Sequence, residues 1–218
     1  MDSTDVDGQL MHRGAEADLY SSTVGPWRSI VKVRVAKSYR QSDLDGWIRK
    51  ERTIKEASLL SEARKAGVRA PTILAIELDD YSLTMSFIPG KPARDELDNM
   101  NVKSRTGLFE DFGRQIGLLH KRGIVHGDLT TSNLIVSEEN TAFVVDFGLA
   151  NYSTETEDRA VDLHLLRRSI ATSHKINEPS CFKALSKGYT SSLGAKEASK
   201  VFKKSGEIAR RGRYFAIR

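Results

Sequence analysis

His126-Gly127-Asp128-Leu129-Thr130-Thr131-Ser132-Asn133 is followed, thirteen residues after Asn133, by Asp146-Phe147-Gly148. The polar loop lies between two short apolar stretches, Ile124-Val125 and Leu134-Ile135-Val136, which read as strands. A turn from Ser137 to Asn140 leads into Ala142-Phe143-Val144-Val145, a further strand that ends at Asp146. Two carboxylates and one amide therefore fall on loops at strand ends. Their types suit phosphoryl transfer. One Asp can position or deprotonate an acceptor, while the Asn and the second Asp offer hard oxygens to Mg²⁺ held by a nucleotide's phosphates. Either motif alone also fits ordinary turn chemistry. Asp, four residues, Asn, a strand hairpin and then Asp-Phe-Gly is far more restrictive.

Working outward, Ser29-Ile30-Val31-Lys32-Val33-Arg34-Val35 alternates, with the valines on one face and Lys32 and Arg34 on the other. From about Asp45 to Lys65 the period becomes helical, Arg52, Glu56, Leu59, Leu60 and Ala63 share a stripe, and Gly67 is a stop signal. Strands are predicted at Ile73 to Leu78 and Leu83 to Phe87, ending at Pro89-Gly90. Ser104 is the expected cap of a helix whose Leu108, Phe112, Ile116 and Leu119 form a buried stripe closed by Gly123. From about Asp158 the chain is helical in composition. The outline is an α+β chain: a strand-rich N-terminal lobe over 1–88, a short helical lobe over 89–195 and a tail over 196–218.

The chain has 218 residues and a formal charge of +5. From Lys196 to Arg218 there are eight basic and two acidic residues, so this end carries +6 and the preceding 195 residues sum to −1. Any polyanion would meet that end. The bland alternative is a solvated helix face with a frayed terminus. No apolar run approaches the about 20 residues of a membrane span. The start, Met1-Asp2-Ser3-Thr4-Asp5, is acidic and polar, unlike a signal or transit peptide. The lone Cys181 can make neither an internal disulfide nor a Cys-based zinc site and reads as a small buried residue. A cytoplasmic protein is the expectation. His12, His120, His164 and His174 show no metal-ligand spacing and read as surface or packing residues, whereas His126 orients its loop.

The catalytic-loop and Asp-Phe-Gly motifs resemble those of the protein-kinase superfamily. That resemblance implies a reduced two-lobed kinase fold, with ATP and Mg²⁺ as cofactors. It also assigns roles. Lys32, in Ile30-Val31-Lys32, would contact the α- and β-phosphates, and Glu56 on the next helix would pair with it. Asp128 would be the catalytic base, and Asn133 and Asp146 would take the metal. Ile135 would lie under the adenine, Met85, Phe87 and Ile88 would form the hinge, and Gly14, Ala15, Glu16 and Ala17 would cover the phosphates. Asp162 resembles the buried acid that braces the catalytic loop.

The departures narrow the family. Arg13-Gly14-Ala15-Glu16-Ala17 has one glycine where three are usual, Gly127 replaces an arginine, and Thr130 replaces a lysine. Only 70 residues follow Gly148, without an Ala-Pro-Glu, so the helical lobe is expected to be truncated and to lack the platform for a peptide substrate. Gly14-Ala15-Glu16-Ala17, Lys37-Ser38-Tyr39-Arg40, Leu44-Asp45, Arg52-Thr53-Ile54-Lys55-Glu56-Ala57, Val161-Asp162-Leu163 and Arg211-Gly212-Arg213 resemble the kinase subunit of the KEOPS complex, as does the catalytic loop. That family helps place threonylcarbamoyl on adenosine in certain tRNAs. The resemblance implies an atypical Ser/Thr kinase or ATPase acting on its own hydroxyls or on water. Its partners would be the threonylcarbamoyl transferase subunit, other KEOPS subunits and tRNA, the last through Lys203, Lys204, Arg210, Arg211 and Arg213, with no membrane involved. Two alternatives are an assembly module with incidental turnover and a RIO-like kinase, whose loops differ. An aminoglycoside-type kinase needs a larger helical insert than 218 residues hold.

Overall fold

The computed structural model describes residues 8–176 and 178–215, with side chains up to 211. The acidic residues 2–5, Arg218 and the Arg213 side chain lie outside the described set. Two compact units result, residues 1–61 with 71–87, and residues 62–70 with 88–218. The architecture is the reduced α+β kinase-type fold expected, strands first and helices after.

In the first unit, β1 (Gln9–Arg13), β2 (Ala17–Val24), β3 (Trp27–Arg34), β4 (Ile73–Glu77) and β5 (Ser82–Ser86) form an antiparallel sheet in the order β1-β2-β3-β5-β4. The α1 helix (Ser42–Lys65) begins three residues earlier than its apolar period predicts. Ala57, Leu59 and Leu60 of α1 are buried, as are Val31 and Leu83 on the sheet. Burying each such leucine is worth roughly 1.5–3 kcal/mol relative to leaving it in water. The polar side of the alternation in β3 is buried: the Lys32 and Arg34 side chains both reach Glu56 of α1.

The second unit contains β6 (Lys91–Pro92), α2 (Ala93–Glu96), α3 (Val102–Lys121), β7 (Ile124–Val125), β8 (Leu134–Val136), β9 (Ala142–Val144), β10 (Asn151–Tyr152), α4 (Thr156–Ser173), α5 (Glu178–Leu193) and α6 (Ala195–Phe215). Ser104 is not the cap of α3. Asn101 holds that position, and its side chain accepts from the Ser104 amide at 2.9 Å. Leu108, Phe112, Ile116 and Leu119 are fully buried, with Leu163, Leu166, Ile170 and Leu185 beside them in the same core. Helices α3 and α5 run backbone against backbone. A Cβ at Gly188 would lie 1.8 Å from the Glu110 carbonyl oxygen, and one at Gly113 would lie 2.0 Å from that of Leu185.

Over its described residues the basic end is a helix and no free tail. Ala198, Val201 and Ser205 recur at helical spacing and are buried, so α6 packs on α4 and α5 as part of the core. Among the described residues no helix is long and apolar enough to cross a membrane.

Candidate active site

In the first unit the decisive pair is Lys32 and Glu56, with Nζ donating to Oε1 at 2.7 Å. Glu56 is 4% exposed, and its other oxygen accepts from Arg34 at 2.5 Å. Arg34 also donates to the Arg52 carbonyl at 3.2 Å, which ties the middle of α1 to β3. One carboxylate is thus held by two cations in a buried setting, where deleting a single partner typically costs about 3–5 kcal/mol. Sequence reasoning missed Arg34, although its position two residues after Lys32 puts it on the same strand face. The Gly14, Ala15, Glu16, Ala17 stretch forms the tight connection between β1 and β2, with the Gly14 amide donating to the Ala17 carbonyl at 3.1 Å. Glu16 pairs with Arg52 at 2.5 Å, and the Ala15 carbonyl accepts from Lys37. Met85 lies in β5 opposite Ile30, and Phe87 carries the Arg28 guanidinium 3.9 Å above its ring.

In the second unit the loop after β7 and the strand exit after β9 are bound side by side. The Asn133 amide group donates to Asp128 twice, to Oδ2 at 2.9 Å and to the main-chain oxygen at 2.8 Å. Its main-chain carbonyl accepts from the Val145 amide at 3.0 Å, next to Asp146. His126 closes the same seam with Nε2 at 2.9 Å from the Val145 carbonyl oxygen, its ring tilted over Phe147 at 5.4 Å. Asp146 is exposed, has φ +61°, and accepts from the Gly148 amide at 3.2 Å. With the Asn133 amide nitrogen committed to Asp128, its Oδ1 is the oxygen left to face a ligand. The donor set is one amide oxygen and one carboxylate. That suits Mg²⁺, which is bound by one or two protein oxygens together with phosphates and water, and it does not suit zinc. Ile135 sits in β8, paired with Pro92 and Phe143. Ile88 is half-buried at the start of the second unit's main segment.

The loop is braced by Asp162 of α4, which is 1% exposed, as expected of the buried acid it resembles. Its Oδ2 accepts from the His126 amide at 2.6 Å and its Oδ1 from the Gly127 amide at 2.9 Å. Burial alone would raise the Asp162 carboxyl pKa. The hydrogen bond from His120 and the one from the His126 amide bring it below its ordinary value instead. Of the two readings given for His120, surface or packing, the second holds: it is fully buried, with Nε2 3.1 Å from Asp162. Gly127 has φ +78°, and a Cβ there would meet the Leu149 carbonyl oxygen at 2.4 Å. The missing arginine thus has a steric cause. Thr131, 1% exposed, anchors the far side of the loop through the Ser169 hydroxyl at 3.0 Å and His174 at 3.2 Å. Cys181 is buried, with its thiol pushed up by that burial.

On α6, Lys203 and Arg210 are exposed, while Lys204 reaches Glu157 of α4 at 2.7 Å and Arg211 comes within 3.8 Å of the same carboxylate. Half-exposed pairs of this kind are worth about 0–1 kcal/mol, so they yield readily to another anion.

The family model described as RIO domain matches residues 29–174, which include Lys32, Glu56 and both loops of the second unit. KEOPS complex subunit Bud32 of Pyrococcus abyssi is 38% identical over 212 residues, covering 94% of this chain and 96% of that one. The chain belongs to the Bud32 family of RIO-domain proteins. The RIO relationship, set apart above because of loop differences, is one of membership at the level of the whole domain. Further relatives carry the name probable bifunctional tRNA threonylcarbamoyladenosine biosynthesis protein. Those of Methanococcus maripaludis strain C5 and Methanosarcina mazei are each 40% identical over 205 and 209 residues, or 94% and 95% of this chain. This family member spans 36% of the length of either.

Proposed function

We propose that this chain is an ATP- and Mg²⁺-dependent phosphotransferase or ATPase that serves tRNA threonylcarbamoyladenosine formation within a KEOPS-type assembly. The observation that carries the reading is the Asp128–Asn133 hydrogen bond at 2.9 Å, in a loop whose next turn is tied to the strand before Asp146. Asp128 keeps one oxygen for an acceptor hydroxyl or water, because the other is occupied by Asn133. Asn133 and Asp146 would hold the metal, which when bound neutralises charge on the transferring phosphoryl group. Lys32 would grip phosphates, with Glu56 fixing its direction and Arg34 fixing Glu56. The Gly14, Ala15, Glu16 and Ala17 turn would cover the phosphates, Ile135 would support the adenine, and Met85, Phe87 and Ile88 would edge it.

Membership in a family whose names include a KEOPS subunit and tRNA threonylcarbamoyladenosine biosynthesis supports the partner assignment: the transferase subunit, other subunits and tRNA. The reading is tested by ATP turnover of the purified chain with magnesium, alone and with the transferase subunit and tRNA. Turnover in at least one of these mixtures is expected. No turnover in any of them would overturn the reading and leave a binding module.

The basic face of α6 is the proposed tRNA-binding surface. Reversing the exposed Lys203 and Arg210 to glutamate leaves the buried Ala198, Val201 and Ser205 untouched. The double variant is expected to bind tRNA more weakly. It should also flatten the log–log salt dependence by about 0.9 for each phosphate no longer neutralised, on duplex RNA treated like B-DNA. Unchanged binding and slope would return α6 to a purely structural role. That result would not affect the ATP site.

A further inference from the structure

Helix α5 supports the catalytic loop through a hydroxyl that reaches it by way of two other side chains. Tyr189 is fully buried, and its Oη lies 2.7 Å from Nδ1 of His120. The other nitrogen of that imidazole faces Asp162 Oδ2 at 3.1 Å, and Asp162 in turn receives the His126 and Gly127 amides. The protons in this chain have one consistent arrangement. An ionised carboxylate only accepts, so the His120 ring facing it carries a hydrogen on Nε2, as the neutral Nε2–H tautomer or as the imidazolium. Only in the neutral tautomer is Nδ1 a lone pair to which the phenol can donate. Burial raises the Tyr189 phenol above its ordinary range, so it stays a donor. In the other tautomer a lone pair would face the carboxylate. In the imidazolium both ring nitrogens would donate, and the phenol hydrogen would lose its acceptor inside the core.

We propose that Tyr189 is a positioning residue for the catalytic loop, its hydroxyl fixing His120 as the Nε2–H tautomer that holds Asp162 against the His126 and Gly127 amides. The proposal rests on the reading of that loop as catalytic. The close approach of α3 and α5 has a purpose in these terms. Gly113 and Gly117 let the α5 backbone run along α3, which brings the Tyr189 phenol to a residue one turn beyond Gly117. The ring itself is seated edge-on to His120 at 5.5 Å and against Phe202 of α6 at 5.4 Å.

The test replaces the hydroxyl and keeps the ring. In the wild-type chain, long-range nitrogen–proton NMR correlations should show His120 as a single Nε2–H tautomer. In Tyr189→Phe that exclusivity should be lost, and kcat for ATP turnover should fall about 3–10-fold with little change in KM, the scale of one net hydrogen bond. Phe202→Leu loosens the same pocket without touching the hydroxyl. It should lower the thermal midpoint and leave the tautomer and kcat as they were. An unchanged tautomer in Tyr189→Phe overturns the proposal, whatever happens to the rate, and so does equal loss of the tautomer in Phe202→Leu. If wild type and Asp128→Ala are equally inactive, the catalytic reading fails on its own. The NMR comparison then still decides whether Tyr189 sets the His120–Asp162 bond.

Discussion

Asp128→Ala should lower ATP turnover by about 10²–10⁴-fold, the range contributed by a positioned general base. The fold should survive the change. Asp128 is half-buried, and the Asn133 amide group donates to its main-chain oxygen at 2.8 Å as well as to its side chain at 2.9 Å. Alanine keeps the first of these bonds, so the loop retains its shape and only the carboxylate is lost. The thermal midpoint should therefore move little, and the KM for ATP should stay within a few-fold of wild type, because no phosphate contact is assigned to Asp128. Steady-state turnover with magnesium, together with a melting curve, separates these effects. A variant that turns over ATP within a few-fold of wild type would remove Asp128 from the mechanism. A variant that unfolds would show that the carboxylate is structural.

Gly188→Ala should produce the largest loss of stability of any glycine-to-alanine change among the described residues of the second unit. Its Cβ would come within 1.8 Å of the Glu110 carbonyl oxygen and 2.9 Å of the Arg114 amide nitrogen. Both are backbone atoms of α3, so no rotamer can relieve the clash and the helices must part. Overpacking of this kind typically costs about 1–3 kcal/mol, and rigid backbone on both sides favours the upper end. At about 2–4 °C per kcal/mol for a chain of this size, the midpoint should fall by roughly 6–12 °C. The same substitution at Gly107, also in α3, meets nothing within 4 Å. There the gain in helix propensity, about 0.5–1 kcal/mol, should raise the midpoint. Opposite shifts at the two glycines would isolate the packing effect, whereas a neutral Gly188→Ala would mean that α3 and α5 do not approach this closely in solution.

What could be read from the sequence follows the range over which each constraint acts. Asp128, Asn133, Asp146 and the strands between them lie within nineteen residues of one another, so their spacing carries the geometry almost unaided. The Leu108, Phe112, Ile116, Leu119 stripe is likewise local, since one helical period defines it. Arg34 looks like the polar side of an alternating strand until α1 is placed over it, with Glu56 22 residues further on. His120 reads as packing because its partners, Asp162 and Tyr189, are 42 and 69 residues away. The basic end invited an electrostatic reading that counted charges and overlooked Ala198, Val201 and Ser205 between them. Ser104 and Asn101 are both good caps, three residues apart, and only the amide reached by the side chain distinguishes them.

The crowding at Gly127 also limits where this sequence can go. In kinases that carry an arginine before the catalytic aspartate, a phosphate placed on the following segment has something to hold. Here a change to arginine would drive a Cβ to within 2.4 Å of the Leu149 carbonyl, on a backbone with φ +78° that a side chain resists. Installing such a switch here would take a second change as well, one that moves the main chain just after Asp-Phe-Gly. A side chain at position 127 is thus shut off from any charge placed after Gly148 until the backbone at Leu149 gives way.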